Sequence, residues 1–113
     1  MASRKLPRNR QNSTEAFVTF DFKRHENTLI VKLSGEADLF GSSKLRQALV
    51  KKLDGVNKIV FDLSDLDFAD SYFLRLLIRL RKRLGGVSSV KVENAKPNVK
   101  RIFEITGLDK VFM

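Results

Sequence analysis

From Phe17 the chain alternates apolar with polar positions. Val18, Phe20 and Phe22 fall on one side, Thr19 and Asp21 on the other, the period of a half-buried strand. The polar group Lys23, Arg24, His25, Glu26 and Asn27 reads as a turn, and Leu29, Val31 and Leu33 then resume the alternation. The two runs predict an antiparallel hairpin. Ser34-Gly35-Glu36-Ala37-Asp38 reads as a loop, with Ser42 or Ser43 placed to cap a helix. That helix carries Leu45, Ala48, Leu49 and Leu53 on one stripe and stops at Gly55. Ile59-Val60-Phe61 is a short apolar run, the mark of a strand covered on both faces.

An Asp-rich loop follows, and the spacing predicts a second helix from Ser71 to Leu84, closed by Gly85-Gly86. On its wheel Phe73, Leu76, Leu77, Leu80 and Leu84 form an apolar arc, extended by Leu74 and Ile78. Tyr72, Arg75, Arg79, Lys82 and Arg83 occupy the other side, and Arg81 at the edge of the arc is placed to snorkel. Val87, Val90 and Val92 predict a further strand. Pro97 suits the first turn of a last helix, with Val99, Ile102 and Phe103 facing inward and Gly107 stopping it. The order β-β-α-β-α-β-α argues for an α/β mixed sheet: an N-terminal β-hairpin followed by alternating helices and mostly parallel strands.

Composition narrows the chemistry. At 113 residues with 42% hydrophobic content, the chain is read as one domain at 15–113 behind a flexible basic arm at 1–14. It contains no cysteine, which removes thiolate metal sites, cysteine nucleophiles and disulfides. No apolar run approaches the ~20 residues of a membrane span. Basic residues near the start have no apolar segment behind them, so no secretory signal is expected and the reading is cytoplasmic. Asn12-Ser13-Thr14 fits the glycosylation pattern by chance on that reading.

The net charge is +9, with 22 basic and 13 acidic residues; Arg4, Lys5, Arg8 and Arg10 all precede the first acid, Glu15. Such a balance attracts nucleic acid, anionic surfaces or acidic partners without choosing among them. Aromatics do not interleave with the basic residues as single-strand stacking requires, which leaves a nucleic-acid-binding module as a secondary alternative.

Catalysis finds little support. The one histidine, His25, lies in the expected hairpin turn. Asp62, Asp65, Asp67 and Asp70 cluster at a strand end, where carboxylates commonly solvate a connection. No histidine or cysteine joins them to make a transition-metal set, and no glycine-rich loop cradles phosphate. No catalytic residue, metal or cofactor is assigned.

Several segments together resemble the STAS domain of bacterial anti-sigma factor antagonists. They are Leu33-Ser34-Gly35-Glu36-Ala37-Asp38, Leu45-Arg46-Gln47-Ala48-Leu49, Ile59-Val60-Phe61-Asp62-Leu63-Ser64, Phe68-Ala69-Asp70-Ser71, and Pro97 to Phe103 with Thr106-Gly107-Leu108. The resemblance spans Phe17 to Phe112. It implies a non-enzymatic module that binds an anti-sigma factor, often a serine kinase, and so frees a sigma factor for transcription. A STAS scaffold or assembly module, with another STAS-interacting protein as its partner, is the alternative within the family. The resemblance also implies a phospho-acceptor at Ser71, since Asp70-Ser71 matches the family's Asp-Ser step. The chain departs from the motif at Tyr72 and Phe73, where the family carries a small hydroxyl residue and glycine, so two aromatics are expected to crowd the acceptor.

The expected partner-binding residues are Asp38, Asp70, Ser71, Tyr72, Arg75 and Arg79. Each has a plainer reading. Ser71 or Asp70 can simply cap the helix, Asp38 can satisfy turn donors, and Tyr72 can be an ordinary exposed tyrosine. The basic stripe either selects an acidic partner or is a solvated helix face, and the domain can equally bind constitutively, without a phosphate switch.

Overall fold

The computed structural model describes residues 18–113; the expected basic arm and the strand start at Phe17 lie outside the described residues. Strand β1 (Val18–His25) pairs antiparallel with β2 (Thr28–Ala37). The pairing runs to His25 opposite Thr28, so the turn is only Glu26-Asn27 rather than the longer polar stretch expected. Glu26 takes the left-handed conformation this tight connection needs, at φ 56°, and its carbonyl accepts a 2.8 Å hydrogen bond from Arg24 Nε.

Helix α1 (Leu39–Val50) returns the chain to β3 (Lys58–Ala69), which lies parallel to β2. Helix α2 (Ser71–Leu84) leads to β4 (Val90–Glu93), parallel to β3. Helix α3 (Pro97–Thr106) and a short α4 (Asp109–Phe112) finish the chain. The four strands lie in the sheet in chain order, β1-β2-β3-β4, the mixed α/β architecture expected.

Alternation decides where the core sits. Leu29, Ile59 and Val90 are register partners across the three parallel strands, as are Val31, Phe61 and Val92, and all six are buried. Helices cover this face. Leu45 and Leu49 of α1, Phe73 and Leu77 of α2, and Val99 and Phe103 of α3 are buried with it, and Phe73 meets Phe61 edge-on at 6.0 Å. The opposite face, with Ile30, Lys32, Val60, Asp62 and Lys91, is exposed or half-buried. Ile59-Val60-Phe61 is therefore covered on one face, not two.

Four further expectations change. The segment Ser34–Ala37 extends β2 rather than forming a loop. The Asp-rich loop is the second half of a twelve-residue β3. Pairing with β2 continues to Ala69 through two register shifts, and a neighbouring strand outweighs the poor strand propensity of aspartate. Helix α1 begins at Leu39 and is capped by Asp38, not Ser42 or Ser43, and it ends at Val50, with Lys51 as its C-cap, well before Gly55. Val87 is exposed outside β4, because the chain reaches the sheet only at Val90.

Candidate functional site

The last register pair of β2 and β3 is Ala37 with Ala69, and both helix starts follow from it. Parallel strands ending level must launch their helices side by side. Asp38 caps α1, its side chain accepting from Gly41 N–H at 2.8 Å. Asp70 caps α2, accepting from Tyr72 N–H at 3.0 Å, while its own N–H donates to the Ala37 carbonyl at 3.4 Å. Each carboxylate sits at the positive end of its helix. The two starts are thus knitted together at the carboxyl edge of the sheet, where α/β folds place their sites.

With Asp70 as the cap, the Ser71 hydroxyl is left free. Ser71 is exposed at the first position of α2, and no hydrogen bond from its side chain forms among the described residues. Phe73, expected to crowd it, instead turns fully into the core. Only Tyr72 stands beside the serine at the surface.

Several apolar side chains in or next to the two helix starts are exposed. Leu39 is 44% exposed, Phe40 77%, Phe68 43% and Tyr72 44%. Clustered apolar exposure of this kind marks an interaction surface more than a solvated one. Helical periodicity offered no clue to Leu39 and Phe40 while α1 was expected to begin after them. Phe68 falls in the stretch expected as an Asp-rich loop, where no periodicity assigns it a face.

From this end a groove runs between the two helices. Leu39, Ser42, Ser43 and Arg46 of α1 face Tyr72, Arg75, Leu76 and Arg79 of α2, enclosing about 230 Å³. Each set has the spacing i, i+3, i+4, i+7, one stripe of a helix. The groove therefore gathers Tyr72, Arg75 and Arg79, whereas Asp38, Asp70 and Ser71 belong to the helix starts at its mouth. Arg75 lies over the Tyr72 ring, 5.8 Å from its centroid, a cation–π contact that holds both side chains in place.

The aspartates of β3 are occupied one by one. Asp65 pairs with Lys32 at 3.3 Å and Asp67 with Lys96 at 2.5 Å; Asp67 also offers its carbonyl to Asn98 Nδ2 at 2.7 Å. Asp62 accepts from Ser64 N–H at 3.0 Å and Asn94 Nδ2 at 3.3 Å. Burial is the largest single influence on Asp62 and would raise its pKa, but these hydrogen bonds and the Lys32 charge together hold it below the usual carboxylate value. The carboxylates are pinned by separate partners, and no group of three metal ligands occurs among the described residues. No helix among them is long and apolar enough to cross a membrane.

Known proteins resemble this chain in sequence and in fold. A family model described as "Mlab, STAS domain" matches residues 20–113. The anti-sigma-B factor antagonist of Bacillus subtilis (strain 168) is 31% identical over 97 residues, covering 83% of this chain and 87% of that protein. The crystal structure of an anti-sigma factor antagonist from Mycobacterium paratuberculosis superposes with a TM-score of 0.74 at 31% identity, covering 84% of this chain and 82% of that one. Unphosphorylated SpoIIAA, an anti-sigma factor antagonist, has the same fold, with a TM-score of 0.71 at 23% identity over 84% of this chain and 86% of its own.

Proposed function

The chain belongs to the STAS domain family, and from that membership we propose that it is an anti-sigma factor antagonist, a cytoplasmic binding module without catalytic activity of its own. Its relatives at about a third identity carry that role in their names. The observation that carries the reading is the twin helix start. Two capped helices open side by side, with Leu39, Phe40, Phe68 and Tyr72 exposed in or next to their first turns. Exposed apolar side chains gathered beside a few polar groups mark a protein–protein contact. Asp38, Asp70, Ser71, Tyr72, Arg75 and Arg79 are the residues we place in it.

Regulation belongs to Ser71. Its free, exposed hydroxyl at the start of α2 is open to a serine kinase, and phosphate there adds about −1.5 to −2 charge with three acceptor oxygens. At a helix N-terminus that charge is compatible with the domain's own fold. In the middle of a contact surface it is not compatible with an apposed apolar partner.

The test is co-purification of the tagged protein from its native cells, with mass-spectrometric identification of what it retains. Wild type and Ser71→Ala are expected to hold an anti-sigma factor, and Ser71→Asp is expected to lose it. If no variant retains an anti-sigma factor, the assignment fails. Equal retention by Ser71→Asp would leave the antagonist role but remove the switch.

A further inference from the structure

We propose that the groove between α1 and α2 binds a carboxylate-rich segment of the protein partner, an inference that rests on the antagonist reading above. Three guanidinium groups line it, Arg46 from α1 and Arg75 and Arg79 from α2, and no acidic side chain does. The two ion pairs among the described residues are Lys32–Asp65 and Lys96–Asp67, and none of the three arginines has a carboxylate partner there. Three like charges facing one trough repel one another, and a bound anion relieves that repulsion.

The rest of the groove tells what kind of anion. Leu39 and the buried Leu76 supply apolar wall between the charges. Eight residues of each helix, Leu39 to Arg46 and Tyr72 to Arg79, give the trough a length of about 10 Å, and at one end it is bounded by the part-exposed Leu39 and Tyr72, with exposed Phe40 next in the chain. A peptide with acidic and apolar side chains interspersed matches that alternation and continues onto the apolar rim. A small inorganic anion would leave the leucine walls unused. A nucleic-acid strand would need a row of aromatic platforms, and Tyr72 is the one aromatic in the groove. Arg75, already held against the Tyr72 ring, presents its guanidinium with less rotamer freedom to lose.

The probe is a short labelled peptide of interspersed glutamate and leucine, with a glutamine counterpart, titrated into the isotope-labelled protein by NMR. The glutamate peptide is expected to shift the amide signals of Leu39, Arg46, Tyr72, Arg75 and Arg79, and to bind more weakly as salt rises. Arg46→Gln, Arg75→Gln and Arg79→Gln should each weaken it about threefold and together about thirtyfold, with unchanged melting temperature. Shifts confined to another surface, equal binding of the glutamine peptide, or undiminished binding by the triple variant would overturn the proposal. So would tighter competition by inorganic phosphate or by an oligonucleotide, which would make the groove a small-anion or nucleic-acid site.

Co-purification of an identified anti-sigma factor separates this inference from the one beneath it. Retention by wild type and loss by the triple variant supports both. Retention by both proteins overturns the groove assignment and leaves the antagonist role standing. Peptide binding in the groove with no anti-sigma factor retained supports the groove and overturns the antagonist role.

Discussion

At the scale of single residues, three aspartates show how position decides what a carboxylate does. Asp38 and Asp70 each accept from a backbone N–H two or three residues on, at 2.8 and 3.0 Å. Asp70→Ala should cost about 1 kcal/mol, a fall of about 5 °C in Tm for a domain of this size, measured by circular dichroism. The same change should weaken partner binding further than its stability cost explains, because α2 then starts less firmly beside Ser71. Asp62 works through ionisation. Its folded pKa lies below the ordinary 3.8, so its contribution to stability is present above that value and is lost as pH falls through the lowered one. Asp62→Asn should therefore melt below wild type at neutral pH, with the gap closing as the buffer is taken below about pH 4. A gap independent of pH would assign the effect to lost packing instead.

Among the elements, α2 is legible throughout, and α1 in its buried stripe but not in its ends. Helix α2 has a clean apolar stripe, an Asp-Ser start and a glycine stop, and the structure places it at Ser71–Leu84 as the pattern predicts. Helix α1 begins with Leu39 and Phe40, which are exposed and so break the amphipathic pattern where the helix starts. The second half of β3 is not legible for a different reason: its aspartates are on exposed or half-buried positions, and pairing with β2 holds them extended. Sequence alone does not carry that long-range partner. Gly41 in α1 is another tertiary fact. A Cβ there would lie 2.5 Å from the Glu36 carbonyl oxygen and 3.1 Å from Val18 Cγ1, so the helix sits against β1 and β2 only because the position is glycine. Gly41→Ala should destabilise by about 1–3 kcal/mol through overpacking, although alanine favours helix by about 1 kcal/mol in isolation. Urea unfolding would measure it, and a stabilised variant would show that α1 can lift away at little cost.

For the molecule as a whole, one core ties the two ends of the described chain together. Phe112 in the last short helix is fully buried and meets Phe103 edge-on at 6.3 Å, while Val18 at the first described position is buried in the same cluster. Phe112→Ala should cost about 3–5 kcal/mol, enough to unfold a marginal domain, with a single cooperative transition in urea if the core is one unit. The groove divides its labour differently. Arg46, Arg75 and Arg79 are exposed, yet they alternate along α1 and α2 with Leu45, Leu49, Phe73 and Leu77, which are fully buried. Foldability and partner choice are thereby written in interleaved but separate letters. After a gene duplication, the groove's charges can be rewritten without disturbing the hydrophobic set that makes the domain. A cell carrying several such copies could keep its regulatory circuits from cross-talking by a handful of surface changes in each.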